Sequence, residues 1–133
     1  MTVFNKGAAR IYGAEFGLTS NEWRLVALVH AAGELSMGRL ASQAQFDPGL
    51  TSRLVASLVK RGCFRRRVDG RDARGVVLCL TSAGRDLVAR VFPVAWARND
   101  ELLSCLTPVE RRIVIRSIDK LNRQARLMLE EGA

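Results

Sequence analysis

The chain has 133 residues, enough for one domain with a real core, and its 48% hydrophobic and 26% charged content is that of an ordinary globular protein. Its 21 lysines and arginines outnumber 13 aspartates and glutamates, a net charge of +8 that points to a polyanionic partner: nucleic acid or an anionic membrane surface. With one histidine, three scattered cysteines and no C-x-x-C, Ser/His/Asp set or phosphate-binding glycine loop, the residues argue against a zinc site, a cofactor or an enzyme.

Only Lys6, Lys60 and Lys120 are lysines, and the planar arginine fork suits phosphates and base edges, so the bias leans toward nucleic acid. The N-terminal stretch MTVFNKGAAR lacks the apolar core of a signal peptide, and no run is long enough to span a bilayer. A cytoplasmic protein without a membrane partner is expected. Cys63, Cys79 and Cys105 sit among apolar neighbours and read as small buried hydrophobes.

Helix signals begin with TSNEWRLVALVHAAG, where Thr19 and Glu22 have capping-box spacing and Gly33 is a stop. Leu25, Leu28, Val29 and Ala32 form one apolar stripe, and Trp23, Val26, Ala27 and His30 form a second. A helix apolar on two faces is expected between two layers. A shorter helix follows, with Ser36 as N-cap and Met37, Leu40, Ala41 and Ala44 on one face. Next comes DPGLTSRLVASLVKRG, with Asp47 as N-cap, Pro48 in the first turn and Gly62 as stop. Its apolar stripe is Thr51, Leu54, Val55 and Leu58. Its other face, Gly49, Ser52, Arg53, Ala56, Ser57 and Lys60, is small, polar or basic. Two short helices joined tightly, the second with such a face, are the helix-turn-helix pattern.

The period then changes. Cys63–Val68 and Val76–Leu80 read as two strands around a loop with Asp69, Gly70 and Gly75. A hairpin directly after a recognition helix is a wing. Its RRRVDGRDARG segment holds five arginines and two aspartates in eleven residues. Alone it is a solvated charged turn; after a helix-turn-helix it reads as a hook for a polyanion.

From Thr81 the chain is helical again, with Val88, Phe92, Ala95, Leu102 and Leu106 near heptad spacing and Asn99 in the seam. Pro93 is expected to kink or break this helix. The last helix opens with Thr107 and Glu110 in a capping box around Pro108, then carries Val114, Ile118, Leu121, Ala125 and Met128 as a coiled-coil-type seam. That seam packs either on the chain's own core or on a partner chain. A long helix outside a compact winged helix favours the partner. Phe4, Ala8 and Ile11 are weaker candidates for the same layer.

The fold class expected is mainly α with a small β-hairpin: a winged helix-turn-helix plus long terminal helices. This order resembles the MarR family of transcription regulators. The resemblance is carried by GLTSNEWRLV, ELSMGRLASQAQF, LTSRLVASLVKRGCFRRRVDGRDARGVVLCLTSAG and LTPVERR, above all by Asp69-x-x-Asp72-x-Arg74 followed by Leu80-Thr81-x-x-Gly84. It implies a single MarR-like domain over 1–133, with a DNA-binding lobe at 19–81 and a helical dimerisation lobe from 1–18 and 82–133. It further implies a homodimer on double-stranded DNA, a pseudo-palindromic operator, and a repressor that answers to a small aromatic or anionic effector.

Carried onto this chain, the resemblance makes Arg74 the minor-groove probe beside Arg71, with Asp72 orienting its guanidinium. Departures are Gly49 and Leu50 where Ser or Thr is frequent, Thr51 at an apolar position, and Ala73 for a frequent arginine. Base readout then falls on Ser52 and Arg53, which reads as bidentate to guanine or as a phosphate contact. Ser57 is expected to donate to phosphates or bases, and Lys60, Arg61, Arg65 and Arg67 to position the backbone. An effector crevice is expected among Tyr12, Trp23, Ala27, His30, Phe92 and Trp96, aromatic positions that core packing also explains. The alternative function is a nonspecific or architectural nucleic-acid binder. A winged helix used for protein contacts is a third reading, disfavoured by the basic wing.

Overall fold

The computed structural model describes residues 15–69 and 72–132, with backbone alone at 69 and 72–74. Helix α1 (Ser20–Ala32) is followed by strand β1 (Glu34–Ser36), helices α2 (Met37–Ala44) and α3 (Pro48–Lys60), strands β2 (Phe64–Asp69) and β3 (Asp72–Leu80), and helices α4 (Ser82–Leu103) and α5 (Pro108–Glu131). The mainly helical class with a small sheet is as expected. The chain forms two compact units that divide between Pro93 and Val94, inside α4. No helix among the described residues is long and apolar enough to cross a membrane.

Capping chemistry sets the helix starts. Thr19 and Glu22 close the box at α1, Ser36 accepts from the Arg39 N–H at α2, and Asp47 accepts from the Leu50 N–H at α3. Thr107 and Glu110 box α5, and the Thr107 N–H holds the exposed Glu110 carboxyl below its ordinary range. That contribution is present at neutral pH and is lost as pH falls through the depressed value. Helix α3 ends in a Schellman motif: Gly62 takes φ 78°, its N–H donates to the Val59 carbonyl, and the Cys63 N–H donates to Leu58.

The core of the first unit is one continuous cluster. Leu25, Val26 and Val29 of α1 meet Leu40 and Ala44 of α2, Val55 and Leu58 of α3, Phe64 and Leu78 of the sheet, and Val88 and Val91 of α4. In α1 the buried positions Glu22, Leu25, Val26 and Val29 form a single stripe drawn from both expected faces. Ala32 and His30 are exposed, because the helix ends there at the surface. Thr51, the odd residue in an apolar stripe, is fully buried and donates its hydroxyl to the Asp47 carbonyl at 3.0 Å. A buried hydroxyl so satisfied carries little penalty.

Two expectations need correction in the sheet. Strand β1 was not foreseen, and it pairs with β3 to give the order β1-β3-β2. Strand β3 begins at Asp72 rather than Val76. The register slips between Val68↔Val76 and Asp69↔Asp72, so Ala73, Arg74 and Gly75 form a bulge within the strand and not a loop. The remaining loop residues, Gly70 and Arg71, lie outside the described residues. Two further findings concern α4 and the cysteines. Of the kink or break expected at Pro93, the break does not occur, since α4 runs through it. Cys63 is buried and its thiol is pushed up by that burial, Cys79 is half-buried, but Cys105 is exposed in the turn between α4 and α5.

The junction of wing and α4 explains the Leu80-Thr81-x-x-Gly84 motif. The Thr81 N–H donates to the Cys63 carbonyl at 3.1 Å, its hydroxyl donates to the Gly62 carbonyl, and the hydroxyl accepts the Gly84 N–H at 3.0 Å. A Cβ on Gly84 would stand 2.2 Å from the Cys63 oxygen, so only glycine fits.

A second tie joins α1 to α3. Glu22 is 6% exposed, closes the cap on the Thr19 N–H at 3.0 Å and faces Arg61 at 3.4 Å, with the Ser57 hydroxyl donating at 3.4 Å. Arg61 also donates to the Gly17 carbonyl at 2.9 Å and to Phe16 at 3.2 Å.

Two substitutions test these ties by urea unfolding. Gly84→Ala is expected to cost about 1–3 kcal/mol by overpacking; an unchanged midpoint would mean the junction is loose. Glu22→Ala is expected to cost about 1–3 kcal/mol by orphaning partly buried donors, whereas an effect no larger than that of an exposed glutamate would remove Glu22 from that role.

Candidate nucleic-acid interface

The outer face of α3 is open. Gly49, Ser52, Arg53, Ala56, Ser57 and Lys60 are all exposed, while Thr51, Val55 and Leu58 on the other side are buried. Amphipathic spacing alone produces this division, and the N-cap at Asp47 starts the helix in the right phase. Near its first turn, Arg53 Nη1 lies 3.7 Å from where a Gly49 Cβ would be, so the guanidinium leans back over bare backbone. A planar donor fork therefore projects at the end of the helix that carries the positive pole of the dipole.

Not all the basic residues expected on this surface stand free on it. Arg61 is turned onto Gly17, Phe16 and Glu22, and the Ser57 proton is directed to Glu22. In the hairpin, strand alternation separates the three consecutive arginines. Phe64, Arg66 and Val68 share a face with Leu78 and Leu80, the buried side of the sheet; Arg65 and Arg67 point the other way with Cys79 and Glu34. Arg67 there pairs with Glu34. Arg66 is exposed where the hairpin runs past the core, beside Val68 at 63% exposure. Sequence reading passed over Arg66. Counting by twos from the apolar Phe64 would have found it.

Backbone pairing puts Asp72 at the start of β3 and Arg74 in its bulge, so Arg74 belongs to the strand and not to the loop tip. The side chains of both, and Arg71 altogether, lie outside the described residues. Of the aromatic set, Tyr12 also lies outside them. Phe92 stands edge-on to Trp23 at 5.6 Å and to His30 at 5.5 Å between ring centroids. Trp23, Ala27 and Phe92 are half-buried, and His30 is exposed. Trp96 belongs to the second unit and is 66% exposed.

Comparison with known proteins agrees with this geometry. Residues 16–75 match the family model described as MarR family. The chain is 25% identical over 114 residues to the HTH-type transcriptional regulator YdgJ of Bacillus subtilis, covering 83% of this chain and 70% of that one. Among solved structures, it resembles a MarR/EmrR family transcriptional regulator from Acinetobacter sp. ADP1, with TM-score 0.84, 21% identity and coverage of 93% and 87% of the two chains. It also resembles Sco3205, a MarR family transcriptional regulator from Streptomyces coelicolor solved in complex with DNA, with TM-score 0.85, 22% identity and coverage of 92% and 78%. The exposed face of α3 and most of the basic hairpin thus lie within residues 16–75, the stretch that matches the MarR family model, and the fold is the winged helix-turn-helix of the similar solved structures.

Proposed function

We propose that the protein is a repressor that binds a pseudo-palindromic operator as a homodimer and is released by a small aromatic or anionic effector. The observation that carries the DNA-binding part is the uncovered outer face of α3, six exposed small, polar or basic positions backed by a buried apolar stripe. The face suits a major groove, which admits one helix and rewards an arginine fork with bidentate contact to guanine. Ser52, Arg53 and Lys60 are its proposed contacts, with Ser57 at its margin. Arg66 and the hairpin with Arg71, Asp72 and Arg74 reach toward the flanking minor groove. Arg65 and Arg67 add to the positive field. A net charge of +8 supports strong attraction to the backbone, and the similar Sco3205 has been solved with DNA.

Homodimerisation is supported by α5. This 24-residue helix buries no residue, although Ile113, Ile118, Leu121, Leu127 and Met128 are each more than half exposed. So much exposed apolar surface on one helix calls for a partner. Effector response is supported by the half-buried Trp23 and Phe92 with His30 beside them, an aromatic cluster with a polar edge.

On an operator selected from random duplexes, Arg53→Ala is expected to weaken binding by about 1–3 kcal/mol and relax one base position. Lys60→Ala is expected to lower the salt slope by about one without changing sequence preference. Fluorescence anisotropy across salt concentrations reads both, and Arg53→Ala with unaltered base preference would sink direct readout by this residue. If unrelated duplex competes as well as operator, the protein is an architectural binder instead. Leu121→Glu is expected to convert dimer to monomer in sedimentation velocity; a persistent dimer would place the interface elsewhere.

A further inference from the structure

The arginines on the far side of the sheet frame a cleft of about 460 Å³, inside the first unit and away from α3. Its floor follows from strand register. Glu34, Cys79 and Arg65 lie side by side across β1, β3 and β2, and Arg67 stands one step along β2. His30 at the end of α1 and Arg85 in the first turn of α4 complete the wall. Among the described residues, three arginines thus line one cleft against one carboxylate, that of Glu34.

These cations are held in different ways. Arg85 donates to the Leu80 carbonyl and the Ser82 hydroxyl, both at 3.2 Å, which fixes it in place. Arg67 is engaged by Glu34. The Arg65 side chain is exposed and makes no hydrogen bond or ion pair within the described residues, and it lines the same cleft. A concave site with one anchored guanidinium, one available fork and an excess of positive charge is built to take a planar or tetrahedral oxyanion. The volume lies in the range of small-molecule sites, about 300–1,000 Å³.

We infer that this cleft is a binding site for a small oxyanion, a carboxylate or phosphate group, held by Arg65 and Arg85 with His30 at its edge and Glu34 competing for Arg67. It differs in position from the aromatic cluster at Trp23 and Phe92, sharing only His30 with it. Capture of the anion requires neither DNA nor a second chain, so it stands apart from the function proposed above. The same chemistry would also accept a DNA backbone phosphate, and the two sources are separable.

Cys79, half-buried on the floor, provides a local reporter. In a Cys105→Ser background, alkylation of Cys79 by neutral iodoacetamide is followed by mass spectrometry, with Cys63 shielded by burial. Inorganic phosphate at about twice its Kd should slow labelling about threefold relative to chloride of equal ionic strength, since about a third of the clefts remain open. Arg65→Ala should abolish the protection while circular dichroism shows an unchanged fold, and Arg85→Gln should weaken it. Equal rates in phosphate and chloride would overturn the inference, as would full protection in Arg65→Ala. Protection by a 30-base-pair duplex but not by phosphate would also overturn it, making the cleft part of the DNA surface.

Discussion

The Cys63 carbonyl is the point on which the winged helix closes. It accepts the Thr81 N–H and lies so near the backbone of α4 that residue 84 has no room for a side chain. Four elements meet there: the end of α3, the start of β2, the end of β3 and the start of α4. A carbonyl leaving a helix terminus inside a protein needs a donor. Here Thr81 serves the Gly62 and Cys63 carbonyls while capping the next helix through its own oxygen. The hairpin is therefore sprung from the same few atoms that end α3, and the two elements share one base.

Glu22 does comparable work at the other side of α3. A buried carboxylate needs partners for its lone pairs, and Glu22 finds them in its own helix cap, in Ser57 and in Arg61. Arg61 in turn holds the carbonyls of Phe16 and Gly17 ahead of α1. Ser57 and Arg61, two residues expected among the DNA contacts, are thus engaged in these ties. Ser52, Arg53 and Lys60 remain exposed and take no part in these ties. Charge on the sheet is divided in the same manner, with Arg66 on the face of Phe64 and Leu78 and Arg65 and Arg67 on the other.

What the sequence by itself determined is local. Helix starts at Thr19, Ser36, Asp47 and Thr107 were legible because a cap bonds to a backbone N–H three residues ahead, a spacing visible in the letters. The stop at Gly62 and the buried and open faces of α3 were legible for the same reason, since a period of 3.6 residues needs no distant partner. The wing was legible as a change of period.

Tertiary structure decided the rest, and in each case the deciding partner is remote in sequence. Three residues at Glu34–Ser36 carry no periodic signal and become a strand only because β3 offers its edge. Arg61 turns inward because Glu22 is buried 39 residues earlier. The bulge that draws Arg74 into β3 depends on a register shift against β2. Likewise the row Glu34, Cys79 and Arg65 exists only through cross-strand pairing, which no composition or spacing along one strand encodes. Sequence spacing governs what happens within one turn or one cap, whereas the pairing of distant strands and side chains is settled only when the core brings them together.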